Sequence, residues 1–184
     1  MSSPIVHAAA GYAIYRLFRR HLPQEKIWGI PARASWPLAV MALSLLPDLD
    51  AVVGILGRNL ERFHNNLTHS LVTALIFSAA MPLPMRWIAG LRFTTGTALT
   101  FAACIAHLGL DLLTDGRGLM LAWPFTDHRF YQPVILFSGV PWSHAWSDPL
   151  YVVMLVEDTC FALLVVLVIA LTDTIRRRRR CLTG

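Results

Sequence analysis

Four long apolar runs set the strongest constraint on how this chain can fold. They are Trp36–Leu56, Leu67–Leu83, Phe93–Leu113 and Leu150–Leu171, each 17 to 22 residues long. A helix needs about 20 mostly apolar residues to cross a bilayer. The runs therefore predict four spanning helices, and the Ala-rich stretch Pro4–Phe18 predicts a shorter N-terminal helix that lies partly in the interface.

The composition agrees with a membrane-embedded chain. Of 184 residues, 55% are hydrophobic and only 15% are charged, and the mean hydropathy is +0.53. Soluble domains carry about 25% charged residues. This excludes both a soluble globular protein and a disordered one. We expect one all-α polytopic domain over residues 1–175, followed by a basic cytoplasmic tail at residues 176–184.

The basic residues predict the orientation. Five consecutive arginines, Arg176–Arg180, follow the last apolar run, and the positive-inside rule places them in the cytoplasm. With the connecting loops assigned alternately, twelve of the sixteen Arg and Lys residues fall on the cytoplasmic side. We therefore expect a cytoplasmic C-terminus and the 115–148 loop outside; the resemblance given below implies that the membrane is a bacterial inner membrane.

Ionisable residues interrupt the apolar runs, and they share one chemistry. Such groups are costly in a membrane, so they are functional candidates. In the predicted topology these histidines and carboxylates all fall at the outer face: His7, Asp48, Asp50, His64, His69, His107, Asp111, Glu157 and Asp158. The orientation was derived from Arg and Lys alone, so this convergence is an independent observation.

Histidine and carboxylate together are a ligand set for zinc, manganese or iron. His107 and Asp111 are four residues apart and share a helical face. His64 and His69 are five apart, with Asn66 as the expected helix N-cap. The predicted metal ligands are His7, Asp48, Asp50, His64, His69, His107 and Asp111. We expect zinc, with manganese as the alternative.

The pair Asp48 and Asp50 needs a special backbone. Two residues apart on a regular helix, their side chains would point in nearly opposite directions. Irregular backbone after Pro47 would allow both to face a cavity. The Pro-Asp-Leu-Asp sequence also reads as a simple turn that ends a helix.

These residues resemble the YdjM-like family of inner-membrane proteins, some of them controlled by the LexA repressor. The resemblance covers residues 5–160 and rests on His7, Pro47-Asp48-Leu49-Asp50, His64-x-x-x-Thr68-His69-Ser70, His107-x-x-x-Asp111-x-x-Thr114 and Trp123-Pro124-Phe125. The family is described as membrane-bound metal-dependent hydrolases, which implies that activity here. One departure is Asn65-Asn66, where the family pattern has Arg-Gly. An early acidic residue in the last helix also fits, and Glu157 matches better than Asp158.

The order of ligands is also similar, more loosely, to zinc-dependent phospholipase C, which implies hydrolysis of a phosphate ester. We therefore expect a hydrolase acting on a phosphate ester or lipid-like substrate, with Asp48, Asp50 or Glu157 as catalytic general base. Thr68 and Ser70 are expected to orient ligands. Membrane lipids are the expected partners, and no nucleic acid is expected.

Two other functions fit the same residues. An ion or proton transporter would use acidic and histidine side chains as its path, but that path should continue across the membrane. A non-catalytic membrane protein with a structural metal site would need a closed set of four ligands, and the candidates here number more than four.

The topology is directly testable with fusions to a reporter that is active only outside the cytoplasm. A fusion at Gly139 should be active and a fusion at Gly184 silent, because the arginine run holds the C-terminus inside. The reverse pattern would move the candidate site to the cytoplasmic face.

Overall fold

A computed structural model describes residues 2–57, 66–141, 144 and 147–182. Within these ranges the protein is helical and contains no β-strand, only isolated bridges. The helices are α1 (Pro4–Phe18), α2 (Ala32–Leu43), α3 (Leu49–Leu56), α4 (Leu71–Ala80), α5 (Pro82–Ala89), α6 (Phe93–Leu112) and α7 (Leu150–Leu182). This confirms the predicted all-α architecture.

Three helical segments are long and apolar enough to cross a membrane. They are Leu71–Ala89, Phe93–Leu112 and Leu150–Arg176. A fourth candidate is the pair Ala32–Leu43 and Leu46–Gly54, which is bent by 53° from a straight helix. The described residues thus offer three or four spans plus the N-terminal helix, as the apolar runs predict.

Proline explains where the helices break. A turn of 3-10 helix, Leu46–Asp48, separates α2 from α3 and contains Pro47. Proline has no backbone N–H and its ring crowds the preceding turn, which favours a break at Pro47, although α2 continues through Pro37. Pro82 likewise opens α5 at its first turn, directly after α4. The break at Pro47 is the irregular backbone that the Asp48 and Asp50 pair requires.

The first and last helices run in the same direction. Ser3 hydrogen-bonds to Asp158 near the start of α7, and Arg16 forms an ion pair with Asp173 nearer its end. A rise of 1.5 Å per residue separates the two contacts by about 20 Å on each helix. Helix α7 continues through the arginine run to Leu182, so the backbone stays helical beyond the apolar span.

Helix α1 packs antiparallel against α2 over a small residue. Gly11 lies against α2 so closely that a Cβ atom there would come 2.6 Å from Ser44 Oγ and 2.8 Å from Met41 Cα. The same crossing buries Ile14, Trp36 and Val40. This close approach brings the N-terminal end of α1, with His7, beside the end of α2.

We expect Gly11→Ala to destabilise the fold, because the added methyl group forces α1 and α2 apart. Overpacking of this kind typically costs about 1–3 kcal/mol. The measurement is the midpoint of thermal unfolding in detergent. Gly109→Ala is the matched control, since a Cβ on that α6 glycine meets nothing within 4 Å. Equal effects of the two substitutions would contradict the tight crossing.

Candidate metal centre

Five predicted ligands meet at one end of the bundle. They come from four separate elements: His7 from α1, Asp48 from the 3-10 turn, His69 from the 3-10 turn Leu67–His69, and His107 and Asp111 from α6. All three histidines are fully buried, and Asp111 is 5% exposed. The fold therefore gathers, away from solvent, residues that lie up to 104 positions apart in the sequence.

Hydrogen bonds define which ring nitrogens face the centre. His107 Nδ1 lies 2.7 Å from the carbonyl oxygen of Ser44, which can only accept, so Nδ1 donates. His69 Nδ1 lies 3.1 Å from Asp50 Oδ2 and donates in the same way. In both neutral rings the Nε2 atom is then the acceptor. The two Nε2 atoms face each other at 3.2 Å.

Two carboxylate oxygens complete a cluster of acceptors. Asp111 Oδ2 is 3.3 Å from Nε2 of both His69 and His107. Asp48 Oδ1 is 3.6 Å and 3.5 Å from the same two atoms. Among the described residues neither oxygen has a hydrogen-bond partner. With both rings neutral, four acceptor atoms from described residues converge here in a buried place, an arrangement that a cation would stabilise.

The spacing matches the requirement of a single small ion. Four ligand atoms at about 2.0–2.1 Å around a tetrahedral ion lie about 3.3–3.4 Å from one another. The five distances above range from 3.2 to 3.6 Å. The residues present therefore fit a divalent metal of the zinc type.

His7 extends the cluster on the far side of Asp111. Its Nε2 atom is 3.3 Å from Asp111 Oδ1 and 3.0 Å from Ser2 Oγ. Its ring stacks on that of His107 at 3.6 Å. His7, Asp48, His107 and Asp111 each offer one ligand atom, and these atoms all lie within 4.8 Å of one another. Oδ1 of Asp111 thus faces His7, and Oδ2 faces His69 and His107.

Serine residues that the sequence analysis did not single out hold this arrangement. Ser44 is central, because its carbonyl fixes the ring of His107 and its hydroxyl donates to the carbonyl of His7 at 2.7 Å. Ser2 donates to Asp111 Oδ1 through both its backbone N–H and its hydroxyl, each at 3.1 Å. Isolated serines carry no periodic signal, so only the fold reveals these contacts.

Thr68 and Ser70 have different roles. Thr68 Oγ1 lies 3.2 Å from His69 Nδ1, as expected for a residue that orients this ring. Ser70 caps α4 by accepting from the backbone N–H of Thr73. The expectation that Asn66 caps this helix is wrong, because Ser70 immediately precedes the first turn and Asn66 makes no side-chain cap.

The other predicted site residues lie outside the cluster. Asp50 Oδ2 lies 3.1 Å from the outer nitrogen of His69, Nδ1. Both oxygens of Glu157 accept hydrogen bonds from Ser138, at 2.7 and 2.9 Å. Its neighbour Asp158 is the buried acid, 1% exposed, and turns towards Ser3. His64 lies outside the described residues, and its role and that of Glu157 remain predictions.

The carboxylates around His69 shift the pKa of its side chain. His69 lies just before the span that begins at Leu71. Burial alone lowers its pKa, but the protonated ring can donate to Asp111, Asp48 and Asp50, and these hydrogen bonds outweigh burial and raise the pKa well above its ordinary value. Without a metal, a proton on His69 is the cation that satisfies the acceptors. Metal binding must displace that proton.

Fold and site together define a polytopic helical membrane protein with a buried cluster of histidine and aspartate that can hold a metal ion. The chain belongs to the YdjM inner membrane protein family, which it matches over residues 1–179. The family resemblance drawn from the sequence is thereby confirmed, and a bacterial inner membrane is its location.

One curated relative is the inner membrane protein YbcI of Escherichia coli (strain K12). It is 29% identical over 110 residues, which cover 57% of this chain and 62% of that protein. This chain therefore matches less than two thirds of that relative's length. No solved structure matches the chain.

The raised pKa of His69 predicts how the metal-free protein responds to pH. A group with a raised folded-state pKa contributes stability below its unfolded-state pKa, and that stability is lost as pH rises through the folded-state value. The unfolding midpoint of chelator-treated protein should therefore fall as pH rises from about 6.5 through the raised pKa.

The variant Asp50→Asn should weaken this pH dependence, because it removes one of the carboxylates that raise the pKa of His69. His69→Gln should abolish its share of the effect altogether. An unfolding midpoint with the same pH profile in wild type and His69→Gln would contradict the assignment.

Proposed function

We propose that this protein is a membrane-bound metal-dependent hydrolase that acts on a phosphate ester or lipid-like substrate. The observation that carries the proposal is the convergence of four acceptor atoms, from Asp48, His69, His107 and Asp111, at 3.2–3.6 Å. His69, His107 and Asp111 would hold the ion, zinc or manganese, with His7 adjoining through Asp111 and with the Asp48 side left open to water. The centre would face the outside, as the arginine distribution predicts.

When bound, a metal of this type acts as a Lewis acid and lowers the pKa of coordinated water to about 7. The protein residues contribute orientation and access. Asp50 and the carbonyl of Ser44 direct Nε2 of His69 and His107 inward through hydrogen bonds to the opposite ring nitrogens. Such supporting contacts typically change metal affinity 10–100-fold when removed.

Asp48 marks the accessible side of the centre. Its side chain is 17% exposed, whereas those of Asp50 and Asp111 are 9% and 0% exposed. Water and substrate would therefore approach from Asp48. A carboxylate oxygen on this side is in position to accept a proton from attacking water, which supports Asp48 as the general base. This access also favours a catalytic centre over a closed structural site.

The first test is metal analysis of purified wild-type protein, His69→Ala and Asp111→Asn. Wild type should retain zinc or manganese through purification. Each variant should lose it, because either change removes one of the three residues that would hold the ion and weakens binding by more than about 100-fold. His21→Ala is the matched control, since this exposed histidine lies beyond the other end of α1 and should leave metal content unchanged.

The second test is turnover, measured with a panel of phospholipids and phosphodiesters in detergent. Wild type should hydrolyse at least one of them in a metal-dependent way, and Asp48→Asn should retain part of the metal but lose most of the rate. Bound metal with no turnover of any substrate would instead favour the structural-site function. Wild type that binds no metal would refute both.

A further inference from the structure

The loop between α6 and α7 contains an exposed apolar segment that the proposed chemistry does not use. In the sequence Val134–Phe137, which we name the strap, the first three side chains are 56, 55 and 60% exposed. Phe137 is only 5% exposed. Three adjacent aliphatic side chains on the surface of a water-exposed loop are unfavourable, so the strap needs an apolar environment.

Backbone hydrogen bonds place the strap beside the candidate metal centre. The backbone N–H of Leu136 donates to the carbonyl of Leu113 at 2.7 Å, and that of Asp115 donates to the carbonyl of Phe137 at 2.9 Å. Leu113 follows Asp111 by two residues on the same helix end. The strap therefore borders the end of α6 that carries the ligands His107 and Asp111.

Contacts with α7 give the depth of the strap. Phe137 packs edge-on against Phe161, with ring centroids 5.4 Å apart, and Ser138 binds Glu157. Helical rise places Glu157 and Phe161 about 10 and 16 Å from the helix start at Leu150. The apolar span Leu150–Arg176 is about 40 Å long, and the hydrocarbon core is about 30 Å thick.

With this span centred in the bilayer, about 5 Å of α7 projects on each side. Glu157 then lies about 5 Å, and Phe161 about 11 Å, below the hydrocarbon boundary on the side of the metal centre. The strap, attached to both, lies at the same depth. Irregular backbone at this depth needs partners within the protein, and the N–H groups of Leu136 and Phe137 and the carbonyl of Phe137 have them.

We propose that the strap lies in the bilayer leaflet next to the metal centre and binds an acyl chain of a membrane amphiphile. Helix α7, which Phe137 contacts through Phe161, also exposes apolar side chains, among them Val153 and Val156. The headgroup of the same molecule would then lie at the level of Asp48. The substrate class, an amphiphile that enters sideways from the bilayer, rests on the proposed hydrolase function, whereas immersion of the strap does not.

Immersion is tested with a spin label at Ile135→Cys, in full-length protein that also carries Cys160→Ser and Cys181→Ser. Cys104 is fully buried and remains. The protein is reconstituted into phosphatidylethanolamine and phosphatidylglycerol vesicles. The label should be relaxed by oxygen, which concentrates in hydrocarbon, more than by a water-soluble nickel chelate. A label at Asp127→Cys, an exposed position in the same loop, is the control and should show the opposite preference.

A label at Ile135 that the nickel chelate reaches as readily as it reaches position 127 would overturn the proposal. So would a label shielded from both reagents and broadened by a second label, since a second copy of the chain would then cover the strap. Neither result depends on any enzymatic activity.

The substrate class is tested by comparing long-chain and short-chain versions of whichever phosphodiester wild type hydrolyses. Ile135→Gln combined with Leu136→Gln should raise KM for the long-chain substrate about tenfold or more while leaving kcat and the short-chain KM unchanged. His128→Gln, another exposed site in the loop, should change neither.

The two proposals fail separately. If the strap is immersed but the protein hydrolyses no substrate, the proposed lipid contact stands and the proposed hydrolase function is refuted. Turnover with equal KM changes for both chain lengths, or with none, refutes acyl-chain binding by the strap.

Discussion

A charged or polar side chain inside a bilayer must find a partner within the protein, and this requirement organises the whole molecule. At the end that holds the metal centre, Asp111 faces three histidines and Ser2, Asp158 faces Ser3, and Glu157 faces Ser138. At the other end Arg16 and Arg19 meet Asp173. These contacts join α1 to α6 and α7. The polar groups can therefore find their partners only when these helices pack together.

The candidate metal centre gathers buried carboxylate oxygens that have no hydrogen-bond partner among the described residues, Oδ1 of Asp48 and Oδ2 of Asp111. The Nε2 atoms of His69 and His107 that face these oxygens are acceptors when the two rings are neutral. Asp50 and the Ser44 carbonyl create this situation, because they accept hydrogen bonds from Nδ1 of His69 and Nδ1 of His107. Two positions outside the cluster thus decide that the centre attracts a cation, which is why supporting contacts matter as much as ligands.

The side from which the candidate metal centre is accessible follows from the same geometry. Asp48 reaches the surface of the bundle while Asp111 and the histidines stay buried, which gives the centre one accessible side. The strap borders the same end of α6 and has exposed aliphatic side chains. A polar cluster beside an apolar surface suits a substrate that has both a headgroup and a tail.

The sequence by itself determined the helical membrane class, because about 20 apolar residues in succession have few other stable arrangements. It also marked His107 with Asp111, because four-residue spacing fixes a shared helical face in any context. It did not separate Glu157 from Asp158 or reveal Ser2 and Ser44. Adjacent residues on a helix differ by about 100° in direction, and only the packing of α7 against α1 decided that Asp158 faces inward. The convergence of His7, Asp48 and His69 on Asp111 likewise arose from the close α1–α2 crossing at Gly11 and the break at Pro47.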